Sequence, residues 1–275
     1  METYRELLSG FPTVGKVAEE LERIVLGIEE KEEAYLLLKP LLEAQQEWER
    51  LLVCMEAYRE SLEEVERRIG LTGQMTDVAE LRLEDRTRAF FLAVQALEMA
   101  PGRGELADRL EGIGRAAGLL EQVVDSYGAI AAREGNEEYQ GVLLTRKAEV
   151  LKNEVQDFYR AIAEYEKLRE LSPERSVLAA LDELYAVVEN WEKLASVLRE
   201  EIDAAATPGE KMPFYFRLAE LMEDRLGDAA RACEVLKEAH LLDPQDGEAL
   251  FRLRRVYDEK VGDEEAADLD RKSVV

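Results

Sequence analysis

The chain repeats itself at a fixed step. The segments DRTRAFFLAVQALEMAP (85 to 101), QDFYRAIAEYEKLRELSP (156 to 173) and DAARACEVLKEAHLLDP (228 to 244) end on Pro101, Pro173 and Pro244, which stand 72 and 71 residues apart. A second series, WERLLVCM from Trp48, LEQVVDSY from Leu120 and WEKLASVL from Trp191, keeps the same two steps. Two independent motifs on one period restrict the fold to a stack of like units, each burying its apolar face against its neighbours.

Within the period the apolar spacing is helical and falls into two hairpins of roughly 34 and 37 residues. After a turn at EGN (134 to 136), Leu143, Leu144, Val150 and Leu151 share one face of a first helix. A second helix, about Asp157 to Leu171, carries Phe158, Ala161, Ile162, Tyr165 and Leu168 and is closed by Pro173, which excludes helix from the residue before it. In the other half, Leu178, Leu181, Leu184 and Tyr185 precede an ENW turn, and Leu194, Val197, Leu198 and Ile202 follow it. Ala89, Ala161 and Ala232 recur where helices must approach closely and a larger side chain would overpack.

Residues 16 to 31 place Val17, Leu21, Ile24, Val25 and Ile28 on one helical face. The chain therefore reads as an amphipathic capping region over 1–32, a helical array over 33–270 and a tail at 271–275. Pro40 falls inside AYLLLKPLLEA, where it removes the bond to the Leu36 carbonyl and is expected to kink the helix. The last segment, DEEAADLDRKSVV, stops partway through the second helix of a seventh hairpin, which leaves open a natural short cap or a longer protein.

These residues resemble the tetratricopeptide repeat (TPR) family. The closest stretch is FRLAELMEDRLGDAARACEVLKEAHLLDP (216 to 244), with Leu218-Ala219 in its first helix, Gly227-Asp228 in its turn, Ala232 and Ala239 in its second helix and a closing Asp243-Pro244. LFRLRRVYDEKVGDEEAA is similar, through Leu250, Leu253, Tyr257, Gly262 and Ala267, and the alternating WE-x-L hairpins look like those of long bacterial arrays. The resemblance implies an all-α solenoid of about seven antiparallel hairpins in a right-handed superhelix, with first helices lining a concave groove. Lys147 departs from the pattern at an apolar position, and EVERRIGLTGQMTDVAEL (64 to 81) matches it poorly.

With 36 basic and 61 acidic residues the net charge is −25, which disfavours nucleic acid and anionic membrane as partners. No apolar run spans a membrane and METYRELLSGF is no signal peptide, so the cytoplasm is the expected compartment. Cys54 and Cys233 fall on packing positions of second helices and read as free thiols rather than a disulfide.

Little points to catalysis. His240 is the only histidine, and with two remote cysteines it makes no zinc site. No phosphate loop, dinucleotide fingerprint or nucleophile elbow occurs; Gly70, Gly73, Gly112 and Gly114 read as turn or close-packing residues. Carboxylate pairs such as Glu63 and Glu64, or Glu264 and Glu265, fit solvated helices. Trp48 and Trp191, recurring at the start of second helices, read as packing residues rather than ligand stackers. The chain is expected to be no enzyme and to need no cofactor or metal.

One constellation stands out. Arg109, Arg146, Arg217 and Arg252 each immediately precede one repeat position, held by Leu110, Lys147, Leu218 and Leu253. If the first helices line a groove, as the resemblance implies, these arginines form a cationic column able to orient acidic groups of a partner, with Tyr215, Phe216 and Phe251 supplying apolar contact. Alternatively, Arg146 with Glu149 and Arg217 with Glu220 satisfy themselves three residues apart on one helix. Thr145, Phe216 and Phe251 stand where some repeat domains carry the Lys and Asn that clamp a terminal carboxylate, so that activity does not carry over. The expected function is a non-catalytic scaffold or adaptor holding a partner protein segment in the groove. A regulatory or inhibitory subunit of an enzyme, and a structural protein assembling with its own copies through terminal hairpins, are the alternatives.

Overall fold

The repeat resolves into antiparallel helix pairs. The structure, a computed structural model, describes residues 14–27, 31–133, 135–172, 174–245 and 247–258. Their contacts divide into two compact units, one ending at Leu143 and one beginning at Leu144. Among the described residues every regular element is helical.

In the first unit, α1 (Val14–Val25) packs against α2 (Lys31–Gln45) and α3 (Trp48–Ser61). Two more pairs follow: α4 (Val65–Leu81) with α5 (Arg86–Met99), and α6 (Gly104–Ala117) with α7 (Leu120–Ala131). Ala18, Leu21 and Val25 of α1 are fully buried, so this helix covers apolar surface that the first hairpin would otherwise expose. A short 3-10 turn, Glu137–Tyr139, then leads into α8 (Gln140–Val150).

The second unit takes α8 onward from Leu144. It continues through a π-helical turn, Leu151–Val155, into α9 (Phe158–Leu171), followed by α10 (Arg175–Val187) with α11 (Trp191–Ala204) and α12 (Pro208–Asp224) with α13 (Ala229–Leu242). α14 (Gly247–Val256) packs on α13. The expected second helix of the seventh hairpin, with Gly262, Glu264, Glu265 and Ala267, lies outside the described residues, as do the 271–275 tail, Ile28, Glu134 and Pro173.

The turns alternate in step with the hairpins. Each turn between the helices of a pair holds one residue in the left-handed region: Gln46, Glu84 and Gly118 in the first unit, Gln156, Glu189 and Gly227 in the second. Three turns are tight, with the amide of Glu47, Leu119 or Asn190 donating to the carbonyl of Leu42, Gly114 or Tyr185, five residues back. The other three are one residue wider: Asp85, Asp157 and Asp228 donate to Ala79, Leu151 and Met222, six residues back. These same aspartates cap the helix they begin, accepting from the amides of Arg88, Arg160 and Arg231. Tight and wide turns alternate along each unit, which is why the sequence repeats every second hairpin.

Packing follows the same alternation. Ala89, Ala161 and Ala232 are completely buried. Gly70, Gly73, Gly112 and Gly114 all lie within helices rather than turns. At Gly114 a Cβ would stand 2.3 Å from Val123 Cγ2, so α6 and α7 meet there more closely than any side chain allows. Trp48 and Trp191 are half-buried at the starts of α3 and α11. Each ring is covered by the guanidinium that follows the next first helix, Arg82 at 5.1 Å and Arg225 at 4.9 Å from the ring centroid. The tryptophans thus join successive hairpins by cation–π contact as well as by burial.

The irregular segments are accommodated. Residues 65 to 81 form a continuous helix burying Ile69, Leu71, Met75 and Ala79, while the Thr72 and Thr76 hydroxyls donate to the carbonyls of Arg68 and Thr72. α2 runs through Pro40, which is exposed on the same side as Leu36, leaving the freed carbonyl towards solvent. Lys147 occupies its apolar position by donating to the buried Glu164 at 2.8 Å. Burial raises the Glu164 pKa, and the hydrogen bonds from Lys147 and Lys167 outweigh it, holding the carboxyl below its usual range.

Candidate protein-binding face

First helices present one flank of each unit, and the arginine column lies along it. Arg109 on α6 donates to Asp77 on α4 at 2.5 Å, crossing from one hairpin to the previous one. It passes beside Gly73, where a Cβ would make ordinary contact with Arg109 Nη1 at 3.5 Å. Arg217 on α12 grips Asp182 on α10 with both terminal nitrogens, at 2.6 and 2.9 Å. It reaches past Glu220 on its own helix because Asp182 is buried and needs a cation, whereas Glu220 is exposed. Arg252 on α14 donates to Glu248 at 2.6 Å and lies over the Phe216 ring, 4.7 Å from its centroid. Arg146 on α8 is engaged as well.

The column is therefore knit into the hairpin stack. Arg67 to Glu32 at 2.6 Å, Arg175 to Glu210 at 2.7 Å and Arg255 to Glu223 at 2.9 Å make further links between neighbouring first helices. The two aspartates that accept from Arg109 and Arg217 belong to a recurring acidic position. Asp77, Glu111, Glu149, Asp182 and Glu220 each stand seven residues before the left-handed turn residue of their hairpin. That acidic series was present in the sequence at the 72- and 71-residue steps, and it is the signal by which the partners of Arg109 and Arg217 could have been found.

Beneath the Arg217–Asp182 pair lies Glu201 of α11, buried, with no hydrogen-bond partner for Oε2. Burial pushes its carboxyl up to about 7; the charge of Asp182 adds to the effect and that of Arg217 opposes it.

The expected apolar contacts separate. Tyr215 and Phe216 are half-buried, packed on the cluster of Met212, Ala239 and Ala249, and burial raises the Tyr215 hydroxyl. Phe251 is 66% exposed. It stands in a cleft between α12 and α14 with Glu220, Glu223, Asp224 and Glu248 on the walls, beside Arg252 and Arg255. Both of those arginines are taken, by Glu248 and Glu223, whereas Glu220 and Asp224 form no ion pair among the described residues.

His240 is half-buried in the last turn of α13. Among the described residues no three His, Cys, Asp or Glu side chains are grouped to hold a metal ion, and no helix is long and apolar enough to cross a membrane. Cys54 and Cys233 are buried and not joined in a disulfide; burial, with the Glu22 charge adding to it, pushes the Cys54 thiol up to about 11.

No family model matches the chain, and no curated protein matches it. Solved structures do. The structure of Naa15/Naa10 bound to HypK aligns at 18% identity and TM-score 0.38, over 99% of this chain and 39% of that one. A thermophilic TPR protein from Thermus thermophilus aligns at 17% identity and TM-score 0.29, over 68% of this chain and 98% of that one. The TPR2AB domain of yeast Sti1, in complex with pHSP90, aligns at 12% identity and TM-score 0.28, over 88% and 98%. The chain is an array of antiparallel helical hairpins.

Proposed function

We propose that the chain is a non-catalytic scaffold, acting in the cytoplasm, that binds a segment of another protein along its first-helix faces. The observation that carries this reading is the α12–α14 cleft, where an exposed aromatic ring, Phe251, stands between helices fixed by their own ion pairs. A surface already rigid binds without the entropy of ordering itself. Phe251 supplies the anchor, Arg252 and Arg217 form the adjoining wall with Tyr215 and Phe216 behind, and Arg146 extends the column within the same unit. Arg109 plays the corresponding part in the first unit.

Affinity capture from lysate tests the reading, with the wild-type chain beside a Phe251→Ala, Arg252→Ala variant whose helicity is checked by circular dichroism. Charge reversal of all four arginines is a poorer test, since it also strips Asp182 of its cation. A stoichiometric partner kept by the wild type and lost at least about tenfold by the variant is the expected result. Equal retention places the site on another face, and no retained protein removes the reading.

A further inference from the structure

The same cleft also bears on the chemistry of the partner, given the protein-binding reading above. Free cations would draw an acidic segment to the first-helix face of the second unit, but the cleft offers none: Arg252 is held by Glu248 and Arg255 by Glu223. The carboxylates of Glu220 and Asp224 on the same walls form no ion pair among the described residues, Glu220 feeling Arg217 only at longer range. An acidic segment entering here meets two carboxylates that no ion pair holds, in a chain whose net charge is already −25.

The molecule also contains its own example of what covers such a ring. Phe216 and Phe251 occupy the same repeat position, each immediately before an arginine of the column. Phe216 is covered by a guanidinium, that of Arg252 from the next first helix, while its equivalent Phe251 stands open. A cation over an aromatic face, with a carboxylate beside it, is favourable at such half-exposed sites.

We propose that the α12–α14 cleft binds a cationic segment of the partner, an Arg or Lys side chain lying over Phe251 with its charge answered by Glu220 and Asp224. The partner's arginine would do for Phe251 what Arg252 does for Phe216.

Fluorescence anisotropy on the full chain tests this with two labelled eight-residue peptides, one alternating Arg and Ala, the other alternating Glu and Ala. The basic peptide binds, with an affinity that falls as salt rises, and the acidic one does not. Phe251→Ala weakens the basic peptide about tenfold, as does Glu220→Gln with Asp224→Asn. Glu189→Gln with Glu192→Gln, which removes the same charge at the α10–α11 turn, leaves the affinity unchanged and excludes general attraction to an acidic protein. Circular dichroism confirms that each variant is folded. Preference for the acidic peptide, or equal effects of the cleft and control substitutions, overturns the proposal. So does binding that appears only once residues 259–275 are removed, which assigns the cleft to the chain's own end. If a lysate partner is captured through Phe251 while the basic peptide fails to bind, the scaffold reading stands and the cationic assignment falls.

Discussion

The two units each clasp one hairpin to another with an arginine on an aspartate, yet the clasps rest on different ground. In the first unit the Asp77 side chain is 57% exposed and Arg109 reaches it through one nitrogen. In the second, the Asp182 side chain is 11% exposed, Arg217 holds it with two, and the buried Glu201 lies behind. Sequence spacing alone makes these pairs equivalent. Burial makes them different, because an exposed pair exchanges one hydrated state for another while a buried carboxylate has only its partner.

Removing the cation should expose that difference most strongly. Arg217→Ala leaves Asp182 buried without a counter-charge and is expected to cost about 3 kcal/mol or more in urea unfolding, against less than about 1 kcal/mol for Arg109→Ala. Equal losses would mean that burial does not separate the two clasps.

The pH dependence sharpens the contrast. Glu201 keeps its proton in the folded chain up to about 7, whereas in the unfolded chain it releases it near the ordinary value of 4.5. A carboxyl whose pKa is raised by folding supports the folded state fully below the unfolded value and progressively less as pH rises towards the folded one. Its contribution thus falls by roughly 3 kcal/mol between about pH 4.5 and pH 7 and is flat above that. Glu201→Gln should remove this slope, read as the difference between variant and wild type in unfolding free energy at a series of pH values. The equivalent residue of the first unit's last hairpin is Ile130, which is buried and has no proton to exchange. A slope unchanged in Glu201→Gln would place the proton elsewhere.

The smallest expected effect is one the units share. Asp85 in the first and Asp157 in the second cap equivalent helices with the same geometry. Alanine at either should cost about 1 kcal/mol, equally within error, by urea unfolding. A clear inequality would show that the wide turns are not interchangeable.

Much of this fold was legible because a repeat states its core several times over. The alanines at 89, 161 and 232 and the prolines at 101 and 244 marked period and helix ends without any structure. The turns were only half legible. Gly118 and Gly227 announce a left-handed residue, but Gln46, Glu84, Gln156 and Glu189 adopt the same backbone with nothing in their side chains to advertise it. There the flanking helices impose the conformation, and propensity yields to tertiary context.

The ion pairs were less legible still. Arg217 finds its partner 35 residues away and Lys147 finds Glu164 on the next helix, whereas local spacing favoured Glu220 and suggested no partner for Lys147. Which carboxylate a cation chooses depends on which one is buried, and burial follows from how helices stack rather than from distance along the chain.

The two cysteines, unremarkable as packing residues, fall one to each unit: Cys54 on α3 and Cys233 on α13, the only thiols in the chain. A thiol reagent added to the native protein reaches either one only when the helices around it part, so the rate of labelling measures local opening. The array thus carries two internal clocks, one in each half, that can report whether the halves open together or independently.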